Sequence, residues 1–375
     1  MAAGAAATAA VPSLAKVSLG AVRGSAPLPE GTANAPRPIR LSRNENAYGP
    51  SANVTATMRE AALNAANRYP EVEAEALRIR IAALHGVAPE QVVLGCGATE
   101  IMRMAVDAFV GSRKSLVTAL PTFDLILEFA RRAGAEVVPV ALSKDYSHDL
   151  DAMLARTDGA TGLVYICNPN NPTGSLTRRQ DIETFIQSLP PATYVLIDEA
   201  YHHYVSPSAE YASFIDRRLD DDRVIVARSF SKIYGLAGLR VGYAVAAPAT
   251  ARLLDFYRIP EEVNIVAAKA AITALDDTEY VRVSVKRNAD DRQEFFNQAN
   301  ARMVRAIDSH TNFVMLNTGR SAVEVIEHFK KNNVTLPQPF PSFDDYIRVS
   351  MGTTDEMCEF WRVWDLMPVH NMMHE

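Results

Sequence analysis

The sequence predicts an α/β protein in which a large domain, a mostly parallel sheet covered by helices, is joined to a smaller α+β domain. Three observations carry this prediction. From about Ser51 onward, short apolar runs rich in β-branched residues alternate with amphipathic stretches. Those runs lack inside–outside alternation, as expected of strands buried on both faces. After about Thr278 the pattern changes, and a long polar helix is followed by strand, helix, strand and helix.

The first residues stand apart from this plan. Residues 1–10 are almost all alanine and glycine, and 26–40 are rich in proline and small residues. Such composition reads over 1–35 as a disordered leader, with the remnant of an export signal as the alternative. In the body, 71–85 places Leu77, Ile81 and Leu84 at helical spacing. Runs at 115–120, 137–142, 162–167, 193–198, 224–228 and 241–246 read as buried strands. Beyond them come a polar helix over 279–302, a strand over 312–316 and a helix over 321–331. A strand over 346–350 and a helix over 354–366 follow, the helix packed by Trp361 and Trp364. The expected large domain is therefore 49–277, and the small one combines 36–48 with 278–375.

Composition excludes several function classes. A net charge of −6 argues against a nucleic-acid partner. No apolar run reaches the roughly 18 residues of a membrane span. Three scattered cysteines, Cys96, Cys167 and Cys358, suit neither a disulfide framework nor a zinc site, and point to a reducing, cytoplasmic compartment. His370 and His374 are one helical turn apart but lack another evident ligand, so no metal is expected.

In parallel α/β sheets ligands bind beyond the carboxyl ends of the strands, and here polar residues gather there. After Cys167 come Asn168, Pro169, Asn170, Asn171, Pro172, Thr173 and Gly174, all but one of them turn formers. Asp198 closes the next apolar strand, ahead of Glu199, Ala200 and Tyr201, and a buried carboxylate requires a partner. The third strand end carries Arg228, Ser229, Phe230, Ser231 and Lys232, then Gly235, Gly238 and Arg240. Lysine is scarce, eight against thirty arginines, and one placed between hydroxyls and a glycine-bearing loop is a candidate Schiff-base former. Gly95, Cys96, Gly97, Ala98 and Thr99 lead into an amphipathic helix whose free N–H groups suit a phosphate. Glu100 stands where a dinucleotide fingerprint needs its third glycine, which disfavours a nicotinamide oxidoreductase. His202 and His203 read as supporting or surface residues.

Taken together, these groups resemble the class I/II aminotransferases, fold type I enzymes that use pyridoxal 5′-phosphate. Within them the histidinol-phosphate aminotransferase branch is the most similar. Asn44-Glu45-Asn46-Ala47-Tyr48-Gly49-Pro50 looks like that branch's N-E-N-P-x-G-P start. Asn67-Arg68-Tyr69-Pro70, residues 309–313 and Arg348-Val349-Ser350-Met351-Gly352 fit as well, so the resemblance spans roughly 40–357.

The resemblance implies a role for each matching residue. Lys232 would hold the cofactor and shuttle a proton at the substrate Cα; Asp198 would pair with the pyridine nitrogen. Asn171 and Tyr201 would bond the ring oxygen, and Phe123 would stack on the ring. The phosphate would meet Ala98, Thr99, Ser229, Ser231 and Arg240. Tyr69 would reach the neighbouring subunit's phosphate, implying a homodimer with shared active sites. Arg348 would hold the substrate carboxylate, with Tyr48 and Asn171 beside it. The implied reaction moves an amino group from a small-molecule donor to a 2-oxo acid. Decarboxylation or racemisation on the same scaffold, and a non-catalytic cofactor-binding module, are the alternatives.

One segment departs from the branch. Where it usually carries an arginine before the final strand, this chain has Asn333-Val334-Thr335-Leu336-Pro337. That arginine helps hold the substrate phosphate. Unless Arg320 or another arginine replaces it, histidinol phosphate should be a poor substrate, and a carboxylate-bearing amino acid, aromatic or basic, should be preferred.

Overall fold

The computed structural model describes residues 38–206 and 208–368; the expected leader over 1–35 and the His370/His374 pair lie outside them. In chain order, strand β1 (Ile39–Arg40) and helices α1 (Ala52–Asn64) and α2 (Glu71–His85) come first. The alternating body runs β2 (Val92–Gly95), α3 (Ala98–Phe109), β3 (Ser115–Leu120), α4 (Leu125–Arg132), β4 (Val137–Ala141), α5 (Leu150–Leu154) and β5 (Thr161–Cys167). It continues with α6 (Arg179–Ser188), β6 (Tyr194–Asp198), β7 (Val224–Ser229), β8 (Gly242–Ala246), α7 (Pro248–Asp255) and α8 (Ile265–Asp276). Last come α9 (Thr278–Ala301), β9 (Phe313–Asn317), α10 (Ala322–Lys331), β10 (Val334–Thr335), β11 (Tyr346–Ser350) and α11 (Thr354–Asp365).

Seven strands form one sheet in the order β2-β8-β7-β6-β5-β3-β4. Pairing is parallel from β7 through β4, whereas β8 runs antiparallel to both β7 and β2. The sheet is thus mostly parallel, as expected. Along β5, Val164 and Ile166 join one apolar cluster while Leu163, Tyr165 and Cys167 join another on the opposite face. Both faces are covered, so period-two alternation is absent from the sequence.

One expectation requires correction. The run at 137–142 is not a fully buried strand: β4 lies at the sheet edge, and its residues alternate between burial and exposure. Pro139 fits there, because an edge strand tolerates a missing N–H. The helix expected over 71–85 is α2, in which Leu77 and Ile81 are buried while Leu84 is 44% exposed, shortly before the left-handed cap at Gly86.

A third cluster serves the remaining strands. Leu41, Phe295, Val314, Phe329, Ile347 and Phe360 gather with Trp361 and Trp364 around the antiparallel pair β9–β11. Phe329 stacks on Phe360 at 4.7 Å between centroids, and Trp361 lies 5.0 Å from Phe295, so the tryptophans do pack the last helix. The two-residue strands β1 and β10 pair in parallel, aligning Ile39 with Val334 and Arg40 with Thr335. This pairing leads the chain from Leu41 toward the ends of β5, β6 and β7. Among the described residues, no helix is long and apolar enough to cross a membrane.

Candidate active site

The parallel register sets the ends of β5 and β6 side by side, with Cys167 opposite Asp198 and Asp198 opposite Ala227. Asp198 is buried. It accepts hydrogen bonds from the Tyr165 hydroxyl at 2.9 Å and from the Ala200 N–H at 3.0 Å, and burial raises its pKa. Glu199 turns elsewhere, into a buried ion pair with Arg228 at 3.0 Å, supported by the Ser213 hydroxyl at 2.6 Å. Asp198 therefore has no cation within ion-pair distance among the described residues, although a buried carboxylate calls for one. A protonated pyridine nitrogen is such a partner.

Lys232 follows β7 in the adjoining loop and is half-buried. Its Nζ donates to the carbonyls of Arg43 at 3.2 Å and Asn44 at 3.1 Å, and lies 5.3 Å from the Tyr201 ring centre. Burial first, then the Arg348 guanidinium, lowers its pKa to about 7. An amine tuned in this way can be both nucleophile and base near neutrality.

The predicted anion cradle is also assembled. Gly97 precedes α3, whose first N–H groups, from Ala98 and Thr99, have no acceptor within the helix. A Cβ on Gly97 would lie only 2.4 Å from Nη2 of Arg240, so the backbone there closely approaches the guanidinium. Arg240 donates to Ser231 Oγ at 3.3 Å and to the Ala237 carbonyl, and it has no carboxylate partner among the described residues. Ser229 Oγ accepts the Ser231 N–H at 3.1 Å. Helix N–H groups, two hydroxyls and a guanidinium free of carboxylates form a donor set for a phosphate. With the cation-free Asp198 and the tuned Lys232, these residues fit pyridoxal phosphate.

Arg348 enters from β11. It donates to Asn171 Oδ1 at 2.5 Å and to the Ser42 carbonyl at 2.8 Å, between Phe313 and Phe340 at 5.3 and 5.0 Å. Its Nε is buried without a partner among the described residues, and burial lowers its pKa. A carboxylate ligand would satisfy such a guanidinium. Tyr201 is buried beside it, edge-on to Phe313 at 5.2 Å, and burial pushes its phenol up.

Sequence reasoning gave no role to two residues that organise this site. Tyr165 bonds Asp198, and Asn44 bonds Tyr201 at 2.9 Å and accepts from Lys232. Asn44 stands in the quoted Asn-Glu-Asn segment, which was its signal; nothing marked Tyr165 beyond its place in an apolar strand.

Other predicted residues are not brought together here. Tyr69 is 75% exposed and makes no hydrogen bond or ring contact among the described residues. Tyr48 leans on α9, its hydroxyl 3.3 Å from Asp291 and its ring beneath Arg287 at 4.2 Å. Phe123 is partly buried against the cluster below the sheet. Arg320 donates to the Pro368 carbonyl at 3.1 Å. His202 and His203 bond Tyr211 and Tyr234 at 3.0 and 3.2 Å, in supporting positions.

The family model for aminotransferase class I and II matches residues 36–361. Histidinol-phosphate aminotransferase of Caldicellulosiruptor saccharolyticus is 34% identical over 324 residues, covering 86% of this chain and 89% of that protein. Histidinol-phosphate aminotransferase 1 of Bacillus anthracis is 35% identical over 319 residues, 85% of each chain. The histidinol-phosphate aminotransferase of Sinorhizobium meliloti, solved with pyridoxal-5′-phosphate, superposes with a TM-score of 0.82 at 28% identity, over 88% of this chain and 92% of that one. These relatives do not favour the decarboxylase, racemase or non-catalytic alternatives. Matched along most of its length, the chain belongs to the aminotransferase class I and II family.

Proposed function

We propose that the chain takes its amino group from a carboxylate-bearing amino acid, aromatic or basic, in preference to histidinol phosphate, the substrate named for its relatives. The activity is pyridoxal-phosphate-dependent transfer of that group to a 2-oxo acid. The observation that carries the substrate reading is the place of Pro337. Extending the parallel β1–β10 alignment by two residues sets Pro337 level with Ser42, whose carbonyl holds Arg348. A phosphate-binding arginine at that position would stand beside Arg348; proline supplies no charge. Arg320 is committed to the Pro368 carbonyl, and Arg348 is flanked by the Phe313 and Phe340 rings.

Bound pyridoxal phosphate supplies an electron sink for the charge that develops at the donor Cα. The chain's own residues bind, orient and move protons. Arg348 holds the substrate carboxylate as a planar fork, pre-set by Asn171 and Ser42. Lys232, with its pKa lowered to about 7, takes and returns the proton at Cα. Asp198 keeps the ring nitrogen protonated, and Tyr165 and the Ala200 N–H support its ionised form. Asn171 and Tyr201 would hold the ring oxygen, and Phe123, in the loop just beyond β3, would have to turn its partly buried ring toward the site to cover the cofactor. Ala98, Thr99, Ser229, Ser231 and Arg240 hold the phosphate.

Three further points belong to this reading. Residues 49–277 form the large domain and 36–48 with 278–375 the small one, a division supported by the separate apolar cluster around β9 and β11. The active unit is a homodimer in which Tyr69, 75% exposed in the single chain, reaches the partner's phosphate site. The cytoplasm is the compartment, consistent with three free cysteines.

Steady-state kcat/KM for histidinol phosphate, beside aromatic, basic and acidic amino acids with a 2-oxo acid acceptor, tests the substrate reading. One hydrogen bond to a charged group contributes about 1.5–3 kcal/mol, so the phosphate ester should trail the best amino acid at least about tenfold. A clear preference for the ester refutes the proposal. One observation favours that opposite outcome: Arg43, whose carbonyl accepts from Lys232, has an exposed guanidinium without a partner among the described residues. If Arg43 supplies the charge, Arg43→Ala abolishes that preference selectively.

A further inference from the structure

We infer that Asn44 is a positioning residue that commits the Tyr201 hydroxyl to give its proton to the cofactor side of the site, with Ser350 fixing the orientation of the Asn44 amide. The inference rests on the assignment of Tyr201 to the ring oxygen.

Asn44 is almost wholly buried and adopts φ 54°, a left-handed conformation that asparagine tolerates better than most residues. Its backbone N–H donates to Ser350 Oγ at 2.8 Å. The same hydroxyl is 2.9 Å from Asn44 Oδ1, and it has no other acceptor among the described residues. Because the backbone can only donate, the Ser350 proton goes to Oδ1. That sets the amide oxygen toward β11 and turns the amide nitrogen the other way.

Nδ2 then donates to the Tyr201 oxygen at 2.9 Å. A phenol has one proton and two lone pairs. With a lone pair taken by Asn44, its proton must find another acceptor, and none exists for it among the described residues. The acceptor the assignment provides is the cofactor's ring oxygen. Meanwhile the Asn44 carbonyl accepts from Lys232 Nζ at 3.1 Å and from Asn312 Nδ2 at 3.0 Å. One residue thus directs the tyrosine proton and holds the lysine amine, 157 and 188 positions away in sequence.

The test substitutes Asn44→Asp, which keeps shape and backbone tolerance but offers only acceptors when ionised. The Tyr201 proton would then turn to the introduced carboxylate and leave the ring oxygen. The readout is the pH midpoint of the holoenzyme's visible absorption, which reports protonation where Lys232 joins the cofactor. Losing a hydrogen bond to a charged oxygen should raise that midpoint by about one to two units, roughly 10- to 100-fold in proton affinity. Tyr201→Phe should raise it similarly.

The introduced carboxylate also raises the midpoint by its charge alone, and the Tyr201→Phe background isolates that part. The inference expects most of the Asn44→Asp shift to vanish there. An equal shift in both backgrounds overturns it, as does the absence of any shift. If Tyr201→Phe by itself leaves the midpoint unchanged, the Tyr201 assignment fails and the inference with it. Should Asn44→Asp not fold, Ser350→Ala leaves Asn44 in place and frees its amide to turn. A smaller rise is then expected, and an unchanged midpoint overturns the role given to Ser350.

Discussion

Gly97→Ala tests the phosphate cradle with a change of one methyl group. Gly97 has φ 77° and ψ 168°, a region that is essentially glycine-only and costs other residues about 1–3 kcal/mol. The added Cβ would also meet Nη2 of Arg240 at 2.4 Å, closer than real contacts allow, and Cζ at a tight 3.0 Å. The clashing atoms end the flexible Arg240 side chain, whose backbone caps the 3₁₀ turn Ala237–Leu239 at φ 56°, so relief should come from the guanidinium swinging away. It then loses Ser231 and its place among the phosphate donors. A hydrogen bond to a charged group contributes about 1.5–3 kcal/mol, so pyridoxal phosphate should bind roughly 10- to 150-fold more weakly. Equilibrium titration of the apoprotein, followed by visible absorption, measures this. Gly86→Ala is the control. Gly86 has φ 60° and ψ 38°, and a Cβ there meets nothing within 4 Å, so it should lose about 1–2 kcal/mol of stability in urea with cofactor affinity unchanged. Wild-type affinity in Gly97→Ala would show that Arg240 does not hold the phosphate.

The remaining predictions concern Lys232 and the dimer. Burial lowers the Lys232 pKa to about 7, so its neutral, nucleophilic form predominates above that pH. The rate at which apoprotein attaches pyridoxal phosphate covalently should therefore rise with pH and reach half its maximum near 7; a midpoint near that of an ordinary lysine contradicts the assignment. Lys232→Ala should bind cofactor noncovalently and lose several orders of magnitude in turnover, since both nucleophile and proton carrier are gone. Borohydride reduction of the wild type followed by peptide mapping should label Lys232, and a label on another lysine would sink its role. Finally, if Tyr69→Phe proves severely impaired, mixing it with Lys232→Ala should restore activity through hybrid dimers that hold one site with both native residues. No recovery after verified subunit exchange counts against shared sites.

What the sequence displays is what repeats or ends something. Strands β5, β6 and β7 are legible because continuous apolar runs stop at polar residues, and those stops hold Asn171, Asp198 and Lys232. The edge strand β4 misleads because its apolar residues resemble a buried run until the neighbouring strands are known. Hydrogen bonds between distant segments leave no such mark. Tyr165 in an apolar strand looks like any core aromatic, and its bond to Asp198 appears only when the sheet register is set. The pairing of β1 with β10 is more hidden still, since two-residue strands carry no periodicity to detect. Yet that pairing aligns Ile39 with Val334 and Arg40 with Thr335, four residues ahead of Asn44, which bonds Tyr201 and Lys232. Cofactor chemistry is thus written at the ends of long elements, where sequence patterns are strong. The proposed control over the substrate and over the tyrosine proton involves residues near a short parallel bridge, and only the folded chain reveals which residues that bridge joins.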